Sequence, residues 1–333
     1  MKTLRVVTVC PLPQNLASLE WSPDGTALAW VDLDGGVGVL RGGAIKRWSG
    51  GGGLCLAWAP DNRRFLTGGE DGMVRIWDVA SGKTGEWAAE GRSWVAAAVW
   101  GPTCIATAEG KRVVLHGEDG GRVAEPTVLP GTVSALIRDP ARDGFIAVAY
   151  GEAVAIPAGV GAVRRFTWKG SMLAASASPD GRYVAIGCQD SSVMIWQRNL
   201  ADGVVAEAEP LRMGGFPGKV TQLAWGEGGS LLTAGGDALA AWSFAGRGPA
   251  GENGVALPGH AGRILAVQTA RRGRLMVSLG AEGASARVIC WGWRRAWEAF
   301  ASVQLPASTL ALRADGRGFA AAGESLLLAE IPE

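Results

Sequence analysis

Short apolar stretches, each running into a polar turn and followed by a second apolar stretch, recur eight times along this chain. The turn is clearest at Trp21-Ser22-Pro23-Asp24-Gly25, Trp58-Ala59-Pro60-Asp61-Asn62 and Ala177-Ser178-Pro179-Asp180-Gly181. Prolines mark it at Pro23, Pro60, Pro102, Pro140 and Pro179, spaced 37, 42, 38 and 39 residues apart. A period near 40 predicts an array of four-stranded units, each packing on its neighbours. The second unit reads most plainly. Leu54 to Trp58 is apolar throughout, as a strand buried on both faces would be. Arg64 to Gly68 is the next strand, and Met73 to Asp78 the one after. Between these two, Asp71-Gly72 predicts a type I′ hairpin turn. Ser81-Gly82-Lys83 turns the chain toward an outer strand near Thr84 to Ala88. The eighth unit ends with three strands. The orphan stretch Leu4 to Val9 is expected to supply the fourth, leaving no open edge.

Composition narrows the class. Of 333 residues, 48% are hydrophobic and only 19% charged, enough for a large core. Glycine, at 51 residues, is about twice its usual share and suits a chain of tight turns. The 32 basic and 31 acidic residues leave a net charge of +1, and no run of like charge suggests a nucleic-acid surface. No apolar run reaches the ~18 residues of a spanning helix. The first residues lack the apolar core of a secretory signal, so a cytoplasmic location is expected. Cys10, Cys55, Cys104, Cys188 and Cys290 are odd in number and widely spaced, as buried, reduced thiols would be.

These residues resemble the WD40 repeat over nearly the whole chain. Trp77-Asp78 is the single Trp-Asp pair and Gly259-His260 the single Gly-His pair. The resemblance implies an all-β propeller of eight four-stranded blades in one domain, 1–333, with seven blades as the alternative. In that family a His, a strand Ser or Thr, a turn Asp and a Trp form a hydrogen-bonded tetrad. By that resemblance Thr67, Asp71 and Trp77 hold the second blade, Thr233, Asp237 and Trp242 the sixth, and His260, Ser278 and Trp291 the seventh. No tetrad is complete. A narrower resemblance, to a bacterial WD40 family of eight repeats, rests on Trp168-Lys169-Gly170-Ser171, Ser178-Pro179-Asp180-Gly181-Arg182-Tyr183 and Gly215-Phe216-Pro217-Gly218-Lys219-Val220. It implies a second possible role, in metal (zinc) homeostasis beside a CobW-type GTPase.

Covalent chemistry finds little support. Two histidines, 144 residues apart, and no Cys-x-x-Cys argue against a metal site. Gly246-Arg247-Gly248-Pro249-Ala250-Gly251 matches G-x-G-x-x-G, but it carries a proline and opens no helix. The resemblance points to the loops joining one unit to the next, and to the hairpin beside them, as the contact face. Trp94, Trp168, Lys169, Phe216, Lys219 and Arg263 occupy those connections, with Glu70 and Gln189 beside hairpin aspartates. Aromatic residues and arginine among polar groups are what interface anchors look like. Trp21, Trp58, Trp100 and Trp225 close the inner strands and are expected to be structural. Trp293 and Trp297 are expected on an outer strand, where exposure would suggest a side-on partner. Two long connections, Arg198 to Gly218 and Ser243 to Gly259, are candidates for recognition loops. The expectation is a monomeric, non-catalytic scaffold that binds a protein or peptide, without cofactor, metal, nucleic acid or membrane. A small-molecule binder or enzyme using a central channel is the further alternative.

Overall fold

Wherever the apolar stretches run, strands form, and they assemble as antiparallel sheets. The computed structural model describes residues 2–12, 16–50, 53–198, 209–245, 248, 253–270 and 273–332. Among the described residues the only helical pieces are two single 3₁₀ turns, Glu90–Arg92 and Glu227–Gly229. The first repeat is Leu16–Trp21, Ala27–Asp32, Gly36–Arg41 and Ala44–Ser49, hydrogen-bonded in that order. The second, Cys55–Trp58, Arg64–Gly68, Met73–Asp78 and Gly82–Ala88, follows the same order. Middle strands such as Ala27–Asp32, Tyr183–Cys188 and Ser230–Gly235 are buried at every position, whereas Ala44–Ser49 alternates in and out of solvent.

The described residues divide into two compact units, residues 15–175 and residues 1–14 with 176–333. In the first, apolar side chains interleave between successive sheets. Trp58, Phe65 and Trp77 pack on Val31 and Val39, and Leu66 and Ile76 pack on Val95 and Ile105. In the second, Tyr183 and Ile195 meet Trp225 and Leu231, and Val277 and Cys290 meet Leu310 and Phe319. Each fully buried side chain of this size contributes about 1.5–3 kcal/mol over its exposed state.

The recurrent turn closes on itself. Ser22 Oγ donates to Asp24 Oδ1 (2.6 Å), the Thr26 amide donates to the same oxygen, and the Ala27 amide donates to Ser22 Oγ. Ser178, Asp180, Arg182 and Tyr183 repeat this arrangement, with Gly181 at φ 73° as Gly25 is at φ 71°. Only glycine takes such a backbone without strain. The hairpin at Asp71-Gly72 differs from expectation. Gly72 is left-handed (φ 67°), but Asp71 is not among the residues of positive φ, so the turn is not type I′. Instead the Asp71 carboxylate accepts the Met73 amide at 3.1 Å.

Among the described residues the strands form seven sheets, so the expected eight blades give way to the alternative of seven. One strand, Arg164–Ala177, runs through 14 residues as the outer strand of the fourth repeat and the inner strand of the fifth, so both belong to one six-stranded sheet. The reason lies in the connection. Residues 164–177 contain no proline and no Asp-Gly pair. The chain bends at Gly170 (φ 141°) in a bulge, where the pairing shifts register between Thr167 and Ser171 and then resumes.

The last sheet closes as expected. Arg5–Pro11 pairs antiparallel with Ser325–Glu330, its register running from Arg5 opposite Glu330 to Pro11 opposite Ser325. Just before it, Lys2–Thr3 adds in parallel to Trp297–Leu305 of the seventh repeat. Leu4, 4% exposed, is buried between these two pairings in the shared core. Removing residues 2–11 is therefore expected to expose the edge of Ser325–Glu330 and to strip Leu4 from that core. Limited proteolysis should then cut the C-terminal 30 or so residues, and a truncated chain with wild-type protease resistance would contradict this.

Candidate functional site

Three of the residue groups expected to hold blades do form hydrogen bonds. Trp77 Nε1 donates to Thr67 Oγ1 and Trp242 Nε1 to Thr233 Oγ1, both at 2.9 Å. Trp291 Nε1 donates to Ser278 Oγ at 2.8 Å, and His260 Nε2 lies 2.7 Å from the same hydroxyl. Gly280 makes room for that ring, since a Cβ there would fall 2.3 Å from His260 Nδ1. Asp71 turns outward to Arg75 (2.6 Å), and Asp237 is exposed at its hairpin. Replacing Trp77 with Phe removes the indole donor and leaves the buried Thr67 hydroxyl with a lost partner. A destabilisation of about 1–3 kcal/mol is expected from the denaturant midpoint at unchanged slope.

His260 carries a pH signature. Burial lowers its pKa to about 4, and its buried Nδ1 has no hydrogen-bond partner that could accept a second proton's N–H. The unfolded chain, with an ordinary histidine, binds more protons between about pH 6.5 and 4. The contribution of a neutral His260 is thus complete above about pH 6.5 and lost as the pH falls toward 4. The stability difference between wild type and His260→Gln should shrink over that window, and equal pH slopes for the two would contradict this.

A polar network not foreseen in the sequence occupies the third repeat. Thr107 Oγ1 donates to Glu109 Oε1 at 2.7 Å, and His116 Nε2 lies 3.0 Å from Thr107 and 3.2 Å from Glu109. The Glu90 amide donates to the other carboxylate oxygen. Burial raises the Glu109 pKa, but the bonds from His116, Thr107 and Glu90 outweigh it and hold the carboxyl below its usual range. A signal was present: His116 follows Thr107 by 9 residues, as Trp242 follows Thr233. The histidine stands where other repeats place the tryptophan. Cys55, Cys188 and Cys290 are unsuited to nucleophilic work, since burial pushes Cys55 and Cys290 up to about 12 and Cys188 up to about 11.

The expected contact residues fall in two groups, one in each compact unit. In residues 15–175 they form a continuous band. The hairpin at Glu70 meets the next connection where the Val95 amide donates to Gly69 O. Gly110 then links two connections, its amide donating to Trp94 O and its carbonyl accepting from Val133. Gly131 leads on to Tyr150, and Gly151 to Trp168. Trp94 is 59% exposed and Tyr150, which sequence reasoning missed, is 64% exposed. Trp168 is half-buried and Lys169 exposed, and they lie within the strand Arg164–Ala177 rather than in a loop. Arg92, Lys111 and Arg112 are exposed on the same connections. The other compact unit holds Gln189, Lys219 and Arg263, all exposed. Phe216 there is half-buried, its ring 6.1 Å from that of Trp242.

Trp293 and Trp297 give no exposed outer surface. Trp297 is buried with Nε1 3.3 Å from Ser230 Oγ, and Trp293 stands 5.4 Å from it, so both cover the sixth repeat. Of the two long connections, residues 199–208, 246–247 and 249–252 lie outside the described residues, and with them most of the G-x-G-x-x-G match. Among the described residues, no group of three His, Cys, Asp or Glu could hold a metal ion, and no helix is long and apolar enough to cross a membrane.

Comparison with known proteins agrees with this architecture. Residues 45–78 and 163–197 match the family model described as WD40: WD domain, G-beta repeat. The C-terminal WD40 domain of Sif2 superposes with a TM-score of 0.78 at 15% identity, covering 100% of this chain and 99% of that one. A chain of the Mitotic Checkpoint Complex gives 0.61 at 16% identity, covering 99% and 91%. Two stretches of the chain therefore match the WD40 repeat, and its all-β fold is that of WD40 β-propeller domains.

Proposed function

We propose that this chain is a non-catalytic platform that binds a protein or peptide partner through the band from Glu70 to Lys169. The observation that carries this reading is the exposure of Trp94, 59%, on the connection before the third repeat, and of Tyr150, 64%, on the strand Gly144–Pro157. Large aromatic side chains held in the open by a rigid ladder lose little entropy on binding and desolvate a large area. Lys169, Lys111, Arg92 and Arg112 surround them, so the partner segment that suits the band is acidic with apolar anchors. WD40 propellers commonly serve as protein-binding scaffolds. Lys219, Arg263 and Gln189 extend the same reading to the connections of the other compact unit. The metal-homeostasis reading rests on resemblance alone, and no residue of the band favours it.

Replacing Trp94, Tyr150 and Trp168 together by Ala is expected to abolish capture of native partners in an affinity purification. The circular dichroism and denaturant midpoint should stay near wild type, because the two most exposed rings contribute little to the core. Retention of every partner by this variant would move the contact surface elsewhere. Loss of partners only on Lys219→Glu with Arg263→Glu would assign it to residues 176–333.

A further inference from the structure

A cavity of about 600 Å³ opens beside the inner turns of the fifth, sixth and seventh repeats, and no residue of the proposed band lines it. Its apolar floor is three mutually packed rings. Tyr183 and Trp225 each lie edge-on to Phe244, with centroids 4.9 and 5.0 Å away. The stretch Gly226 to Gly229, glycine at three of its four positions, forms one wall. The size is that of a small-molecule site.

The rim decides the sign of the ligand. Asp180 is already satisfied: Oδ1 accepts from Ser178 Oγ (2.6 Å) and from the Arg182 amide (3.1 Å), and Oδ2 accepts from Arg182 Nε (2.6 Å). Arg182, whose side chain is 51% exposed, uses only Nε in this pair. Among the described residues its two terminal amino groups are left as donors. Its guanidinium lies over the Tyr183 ring at 5.9 Å, which fixes it at the edge of the aromatic floor. Glu227 likewise is paired through Arg274 Nε at 2.5 Å. Spare donors therefore stand beside an apolar floor, and the carboxylates are occupied. Two parallel N–H groups of a guanidinium match a carboxylate in bidentate fashion.

We infer that this cavity binds a carboxylate with an aromatic or branched apolar body, the acid on the terminal nitrogens of Arg182 and the body against Tyr183, Trp225 and Phe244. The chemistry is shared by a free small acid and by the C-terminus of a partner chain ending in a large apolar residue. The test uses the whole protein and calorimetric titration with 3-phenylpropionate and with its neutral amide. The acid should bind and the amide bind about tenfold or more weakly, the expected loss of a charge-assisted pair. Arg182→Gln should erase the difference between the two, and Arg182→Lys, which keeps the charge but not the fork, should restore part of it. Trp94→Ala should bind the acid as wild type does, which separates this site from the proposed band. Peptides ending in a free or an amidated Phe form the second arm. Tighter binding of the free-carboxylate peptide than of the small acid assigns the ligand to a partner's C-terminus, and the reverse assigns it to a small acid. Equal affinity for acid and amide, unchanged acid binding by Arg182→Gln, or no binding of either acid or peptide at millimolar concentration would overturn the proposal.

Discussion

A strand buried on both faces cannot be stable in a sheet that stands alone. Ala27–Asp32, Tyr183–Cys188 and Ser230–Gly235 present apolar side chains to both sides, so each sheet needs a neighbour on each face. In both compact units the clusters that result always join one repeat to the next in sequence. Nearest-neighbour stacking of this kind makes stability close to additive along the chain. The connections take part as well: Leu129 and Val133, which lie between strands, are buried in the cluster joining the third repeat to the fourth.

The polar groups follow from that stacking. A tryptophan at the end of the third strand of a repeat brings an indole N–H into the core, which requires an acceptor. Thr67, Thr233 and Ser278 supply it in three repeats. Where the third repeat puts His116 instead, Glu109 and Thr107 complete the pairing. The same need is met between repeats by Gln268, which donates to Leu310 O and accepts from the Leu312 amide. These groups are spent on holding the sheets together.

The two surfaces differ in kind. The proposed band from Glu70 to Lys169 carries exposed aromatic rings, with Arg92, Lys111, Arg112 and Lys169 also exposed along it. The cavity beside Arg182 is concave, with an apolar floor and a single forked donor set, which suits a compact anion. Each combines a rigid aromatic element with charge that is not used internally.

Much of the architecture was legible along the chain. Apolar stretches with a period near 40 located the strands, because alternation and burial are written into side-chain type. The unpaired stretch after Leu4 foretold the closing strand, since a three-stranded last unit leaves an edge open. Sequence resemblance also pointed to Trp94 and to the pairs Thr67 with Trp77 and Ser278 with Trp291. Three things were decided only by the tertiary structure. Whether Arg164–Ala177 would break into two strands depended on the ladders on either side, because nothing local forces a turn there. The exposure of Tyr150 and the burial of Trp297 depended on what each ring met, since an aromatic residue is equally at home in a core or an interface. The cavity at Tyr183, Trp225 and Phe244 draws on three separate repeats, and convergence of that kind has no signature in linear spacing.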